Sequence, residues 1–265
     1  MSATPLAPHA LASGPEHSLE LFLRGFAACD IAESLASFDD TTSKPTMLAA
    51  IDSHGFEVIG VRQAGSLVAW LAASDLRGVE QPQLRQFDPA AVIANNAPLN
   101  EVVQALSSAP QVFVRSFGQV GGLICRRDLQ KPAMRMWLFG LVTISELRVT
   151  RMIDEYCPQN SWKDYLSAGR LQKAQELQQE RIRRGQTPSL LDCLQFADKG
   201  QIVARDERLR ERTRFSSKRQ VEQFVTALQD LRNNLAHSQD LSGDWEVICD
   251  LASNLHRIVL GPTKS

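Results

Sequence analysis

Three residue types near the end of "LQDLRNNLAHSQDL", Leu228 to Leu241, could act together on a phosphodiester. The guanidinium of Arg232 can bind a phosphate through paired, charge-assisted hydrogen bonds. The imidazole of His237 can take or give a proton near neutral pH. Asn233 precedes His237 by about one helical turn and can orient either the imidazole or the phosphate. RNA brings its own nucleophile, the 2′-hydroxyl. Such a set would therefore cut it to a 2′,3′-cyclic phosphate and a 5′-hydroxyl with no metal, and the chain offers no convincing carboxylate cluster to hold one.

The same stretch contains a conflict. At about 100° per residue, Arg232 falls inside the apolar stripe of Val221, Val225, Leu228 and Leu235. An isolated buried charge is very costly, so Arg232 must be paired or face a wet cleft. Glu146, beside Ile144 and Leu147 on another apolar-periodic segment, is the expected carboxylate partner and completes the candidate catalytic set. The competing reading is a structural Arg ion pair in a bundle and a surface His near a helix C-terminus.

The elements that would carry these residues all have the helical period. Pro132 opens a long helix with Met134, Trp137, Leu138, Leu141, Ile144, Met152, Ile153 and Tyr156, loosened at Gly140. Ser161 is placed to cap a second helix bearing Trp162, Tyr165, Leu166, Ala174 and Leu177. "SLLDCLQFADKG" reads as a short third. Ser217 precedes the helix of the opening stretch, and a last helix carries Trp245, Ile248, Ala252, Leu255 and Val259. No strand pattern follows residue 131, so this half is expected to be an antiparallel bundle of about five helices. Between its elements, 205–219 holds seven basic residues against three acidic. Arg208, Arg210, Arg212, Arg214, Lys218 and Arg219 could attract a nucleic-acid backbone without reading its sequence. Equally, they could form a solvated face with i,i+4 pairs.

"RNNLAH" resembles the R-x4-6-H motif of the HEPN superfamily (higher eukaryotes and prokaryotes nucleotide-binding). In that family the Arg is often followed by Asn, and the motif lies near the end of the penultimate long helix. The resemblance covers 133–260. It implies a helical bundle of four or five helices, and for many members a metal-independent endoribonuclease in which two motifs face one cleft of a homodimer. Other members are non-catalytic.

The N-terminal half reads differently. Residues 16–37 have helical spacing through Leu19, Phe22, Phe26, Ala27 and Leu35, followed by a turn, "DDTTSKPT". One unit then appears twice. The first copy is a helix "TMLAAIDSHG", a strand "FEVIGVR", a turn "QAGS", a strand "LVAWLA" and "ASDL". The second is a helix "PLNEVVQALSSA", a strand "PQVFVRS", a turn "FGQVGG" and "LICRRDL". Each copy ends on Asp-Leu, at Asp75 and at Asp128, one supersecondary unit apart, which marks an internal duplication.

This arrangement, over about 38–130, resembles a tandem pair of cystathionine-β-synthase (CBS) domains. The family's ligand motif is Gly, two apolar residues, Ser or Thr, two residues, then Asp. "GLICRRD", 122–128, matches it with Cys125 in the hydroxyl position. "AWLAASD", 69–75, has Ala69 for the Gly and Ala72 for the hydroxyl residue. The resemblance implies that Asp75 and Asp128 bind the ribose of an adenine nucleotide, with the missing hydroxyls weakening phosphate contact at both sites. The residues themselves allow another role, since an Asp at a strand-to-helix turn is also an ordinary helix N-cap.

Composition agrees with a foldable chain of one or two domains: 265 residues, 43% hydrophobic and 22% charged. The formal net charge of -1 hides an asymmetry, with residues 1–130 holding 8 Lys+Arg against 13 Asp+Glu and the remainder 21 against 17. A polyanion would more readily meet the second half. Five scattered cysteines without a C-x-x-C argue against a disulfide framework or a zinc site. "MSATPLAPHALASGP" lacks the charged and apolar regions of a signal peptide, and "MWLFGLVTI" is about half the length of a membrane span. The expectation is a cytoplasmic α+β protein. Residues 1–15 form a disordered lead, 16–130 a CBS-like sensor pair with its leading helix, and 131–265 an all-α, HEPN-like effector bundle.

On that reading an adenine-type nucleotide regulates a homodimeric endoribonuclease acting on RNA, with no cofactor or metal required and no membrane involved. The alternative is a non-catalytic regulatory or nucleic-acid-binding scaffold. Nucleotidyl transfer is the third option, but the chain has no Gly-rich phosphate loop or paired-Asp motif to carry it.

Overall fold

The computed structural model describes residues 24–78, 82–213 and 215–260, with side chains as far as residue 253. The proposed disordered lead and the start of the leading helix lie outside the described residues, as does Arg214. The architecture is mixed α+β. Its residues pack into two compact units that do not follow chain order. One comprises Arg24–Leu138 with Asn234–Ser253, and the other is centred on Phe139–Asn233.

The first unit is built on the duplication. In the first repeat, β2 (Ser37–Asp39), α1 (Lys44–His54), β3 (Val58–Gln63), β4 (Ser66–Ala72) and α2 (Ala73–Gly78) follow one another. The second repeat runs β5 (Val92–Ala94), α3 (Leu99–Ser108), β6 (Gln111–Ser116), β7 (Gln119–Cys125) and a 3-10 turn at Arg126–Gln130. In both, the first short strand pairs parallel with the second, and the second and third form an antiparallel hairpin. The parallel strands β2 and β5 are absent from the sequence reading, because three residues give no readable period.

The hairpins of the two copies correspond at a spacing of fifty-three residues, even in their irregularities. A register shift falls between Val61 and Arg62 in one and between Val114 and Arg115 in the other. Each hairpin turns through two left-handed residues, Ala64 (φ 50) with Gly65 (φ 80), and Phe117 (φ 49) with Gly118 (φ 81). Two positive-φ residues are what a tight type I′ hairpin demands. The expected six-residue turn "FGQVGG" is therefore two residues long, and its last four residues belong to β7. Gly122 lies there because a Cβ at that position would come within 3.1 Å of the Val114 Cβ.

The repeats form two sheets, of order β2-β3-β4 and β1-β7-β6-β5, where β1 is Glu33–Ser34. β1 precedes the first repeat in the chain but pairs antiparallel with β7 of the second. Arg24 and Gly25 are helical, but the helical spacing from Phe26 through residue 35 does not produce an α-helix. After the 3-10 turn Ala28–Asp30 the chain becomes extended, with Leu35 buried among Val58 and Phe113. One core joins Met47, Ile51, Ile59, Val61, Leu71 and Leu76, and another gathers Leu35, Val58 and Phe113 with Trp70, Phe87 and Leu123.

α4 (Pro132–Tyr156) is an uninterrupted α-helix, and Gly140 does not loosen it. Its first residues belong to the α/β unit, where Trp137 and Leu138 are fully buried. There Arg135 donates to the carbonyls of Asn234 at 2.8 Å and Gln239 at 2.9 Å, satisfying acceptors that a helix end leaves open.

The second unit is helical among its described residues. After α4 come a 3-10 segment (Pro158–Tyr165), α5 (Ala168–Arg183), a 3-10 turn (Leu191–Cys193), α6 (Phe196–Arg205), α7 (Glu207–Glu211) and α8 (Lys218–Ala236). α9 (Trp245–Leu260) begins in the α/β unit. Ser161 does not start a helix. Gln159 and Asn160 are left-handed just before it, and Ser167 holds the N-cap position of α5. Gly200 permits α6 to lie against α8, since a Cβ there would meet Val225 at 2.6 Å.

Candidate functional site

The strand-to-helix turn of the second repeat opens beside a cleft of about 520 Å³ lined by Glu57, Ser107, Ser108, Ala109, Pro110, Cys125, Arg126 and Arg127. This volume lies in the range that holds a small organic ligand. β7 delivers Cys125 and the 3-10 turn delivers the two arginines. The end of α3 delivers the serines, and the strand-entry residue Glu57 closes the opposite side.

The cleft has two kinds of wall. Arg126 lies over the ring of Trp245, 4.6 Å from its centroid, and is exposed. Arg127 is half exposed and pairs with Glu57 at 3.2 Å and Glu33 at 3.8 Å. Exposed pairs of this kind hold weakly and exchange readily. The cleft also takes in Ser107 to Pro110 at the end of α3, and a helix C-terminus carries partial negative charge that favours a donor. A ligand carrying both hydrogen-bond donors and negative charge would find a partner for each among these lining groups.

Cys125 and Asp128, both expected in the site, are brought together by the fold, but the carboxylate faces inward. Asp128 is 2% exposed. Its Oδ2 accepts the backbone N–H of Cys125 at 2.7 Å and the thiol at 3.2 Å, and Oδ1 pairs with Lys131 at 2.9 Å. Lys131 also donates to the Ile31 carbonyl at 2.7 Å and meets Glu33 at 3.2 Å. Burial, followed by the hydrogen bond to Asp128 and its charge, pushes the Cys125 thiol up to about 11. It is a protonated donor at neutral pH, which is the role a hydroxyl would have in that position.

Asp75, the counterpart in the first repeat, is likewise engaged. It accepts Arg85 at 2.6 Å, and Arg85 lies 4.9 Å above the ring of Trp70. The backbones of Trp70 and Arg85 exchange hydrogen bonds at 2.9 and 3.0 Å, and the Trp70 indole donates to the Gln86 carbonyl at 3.2 Å. The positions equivalent to Arg126 and Arg127 are Ala73 and Ser74, so the first repeat lacks the cationic wall.

The expected catalytic set is not assembled as the sequence implied. Arg232 is exposed, as are Asn233 in the same turn of α8 and His237 in the turn beyond its end. The apolar stripe drifts. Taking about 100° per residue, the buried face centres on Val221 and Val225 in the first turns and about 80° away, on Leu231 and Leu235, in the last. Arg232 is left at the solvent edge, where its long stem carries the charge outward. Glu146 pairs with Lys199 at 3.2 Å, and Lys199 is only 4% exposed. The carboxylate expected for Arg232 thus neutralises a buried ammonium that the sequence reading did not weigh.

The basic stretch is not one continuous face. Arg208 donates to Asp206 at 2.7 Å, Arg210 donates to the Ala204 carbonyl at 2.7 Å, and Arg212 lies 3.6 Å from the ring centroid of Tyr156. Lys218 and Arg219 are exposed at the start of α8. Asp206 is the organising group. It caps α7 through the backbone N–H groups of Arg208 and Leu209 and accepts Tyr165 Oη at 3.1 Å. Hydrogen bonding from Arg208, outweighing burial, holds its carboxyl below the usual range.

Glu57, Arg85, Ser107, Arg126 and Arg127 were missed as site residues. The signal was present for two of them: Arg126 and Arg127 fill the two positions between Cys125 and Asp128 of the motif. Among the described residues no three His, Cys, Asp or Glu side chains gather as a metal site, and no helix is long and apolar enough to cross a membrane.

No protein-family model and no curated protein sequence matches the chain. Solved structures do. A hemolysin-like protein containing a CBS domain, from Oenococcus oeni PSU, is 12% identical, with 44% of this chain and 96% of that one covered at a TM-score of 0.34. The CBS domain of a bacterial CNNM/CorC family Mg2+ transporter, solved in complex with ATP, is 18% identical over 43% of this chain and 91% of its own, at 0.33. The CBS domain of a CBS domain containing membrane protein from Sphaerobacter thermophilus is 15% identical over 43% and 91%, at 0.35.

Proposed function

We propose that the α/β unit is a CBS-type pair that senses an adenine-type nucleotide, and that the helical unit is its output. The observation that carries this is the cleft at the second repeat's strand-to-helix turn. Its cationic pair, Arg126 and Arg127, shares the lining with Glu57 and with Ser107 to Pro110 at the end of α3. The resemblance of 122–128 to the CBS ligand motif selects an adenine nucleotide among such molecules. Ligand that binds only the folded chain stabilises it by about 2.7 kcal/mol at a hundredfold excess over Kd. ATP or AMP is therefore expected to raise the melting temperature of the full-length protein by several degrees and to release or absorb heat in titration calorimetry. Absence of both effects with every adenine nucleotide ends this reading.

For the output, metal-independent RNA cleavage is the reading favoured by one observation. Arg232, Asn233 and His237 are exposed within two adjacent turns of chain, and no ion pair among the described residues engages Arg232. A homodimer that brought two such sets to one cleft would have the acid-base group and the phosphate clamp it needs. Lys218 and Arg219, with the exposed Arg208 and Arg212, would supply attraction for the backbone. The test is cleavage of a mixed-sequence RNA in EDTA by the wild type, His237→Ala and Arg232→Ala. Identical traces from all three leave the non-catalytic scaffold as the output.

A further inference from the structure

Both motif carboxylates expected to accept ribose hydroxyls are engaged within the protein. Asp128 is sealed under its own turn by Cys125 and Lys131, and Asp75 is held by Arg85, whose guanidinium also covers Trp70. Opening Asp128 would leave a nearly fully buried carboxylate without its backbone donor and its ammonium, a costly exchange for two hydroxyl contacts. The exposed guanidinium groups at the cleft are in the opposite state. Arg127 pairs with the exposed carboxylates of Glu57 and Glu33, and Arg126 lies over the Trp245 ring. A phosphate chain can recruit both with little loss, and it forms the stronger charge-assisted bonds.

Resting on the nucleotide reading above, we infer that the ligand of this cleft is held by its phosphate groups through Arg126 and Arg127, and that its ribose hydroxyls contribute little to binding.

Titration of the full-length protein at fixed salt with ATP, 2′,3′-dideoxy-ATP, AMP and inorganic tripolyphosphate tests this. The dideoxy compound is expected to bind within about threefold of ATP, and AMP to bind roughly tenfold or more weakly, the equivalent of one lost charge-assisted contact. Arg126→Gln should weaken ATP by about tenfold and compress the ATP-to-AMP ratio. The ligand series on the unaltered protein decides the matter even if that variant folds poorly. Dideoxy-ATP binding tenfold more weakly than ATP, with AMP equal to ATP, overturns the inference and leaves nucleotide sensing intact. Tripolyphosphate matching ATP upholds the phosphate anchor and removes the nucleotide from the reading. No binding by any of the four overturns both.

Discussion

Asp128 accepts the backbone N–H of Cys125 at 2.7 Å and its thiol at 3.2 Å, so the motif's acid is a structural clasp for its own turn. Asp128→Ala would strip a buried N–H of its partner and leave Lys131 facing the Ile31 carbonyl and Glu33 alone. It is expected to cost about 3 kcal/mol in urea unfolding, the scale of breaking a buried pair. Asp75→Ala, at the equivalent but half-buried position, is expected to cost about 1 kcal/mol or less. Equal losses would refute this difference between the repeats.

The same clasp governs thiol chemistry. With its pKa raised to about 11, Cys125 is expected to alkylate far more slowly at pH 8 than the exposed Cys29. Because the folded value is raised, the associated stabilisation is present below the unfolded thiol value of about 8.5 and is lost as pH rises through about 11. Mass-spectrometric mapping of labelling against pH would check the order.

Asp206 has the opposite sign. Its folded pKa is depressed, so its contribution is present above the unfolded value of about 3.9 and disappears as pH falls through the lower folded value. Asp206→Asn is expected to cost about 2 kcal/mol near neutrality through lost bonds to Arg208, Tyr165 and the α7 N-terminus. The gap between wild type and variant should narrow below about pH 4. A gap that widens in acid would contradict this.

Glu146→Gln is expected to destabilise by about 3 kcal/mol because it strands the ammonium of Lys199, whereas Glu146→Leu with Lys199→Met should recover most of that loss. Chemical unfolding of both variants beside the wild type would show it. If Glu146 instead served RNA cleavage directly, the double substitution would restore stability and not activity.

Arg232→Ala and His237→Ala are each expected to shift stability by no more than about 0.5 kcal/mol, since both residues are exposed. Any loss of RNA processing in these variants would then report chemistry and not unfolding. A change above about 2 kcal/mol would mean that either side chain has a structural partner.

The duplication was legible in the chain because each repeat carries its own local signals. These are a helix, a glycine-containing turn between two strands, and an Asp-Leu closing the copy. The long helices after Pro132 were legible for the same reason, whereas the break at Gln159 and Asn160, the 3-10 turn Leu191–Cys193 and the short α7 were not, since none of them is long enough to show a period. The short strands β1, β2 and β5 were not, since their pairing partners lie far along the chain and two or three residues cannot display a period.

By itself the sequence determined which residues have chemically useful types and how far apart they stand along each element: Arg232 with His237, Cys125 with Asp128, and the two arginines between them. Only the tertiary structure decided which of those groups are available. A carboxylate's fate depends on the charge nearest in space. Asp75 was taken by Arg85, Asp128 by Lys131 and Glu146 by Lys199, at separations from three to fifty-three residues. Burial is decided the same way. A fixed angle per residue places Arg232 on the apolar stripe, but the buried residues of α8 shift round the helix along its length, and Arg232 is left exposed.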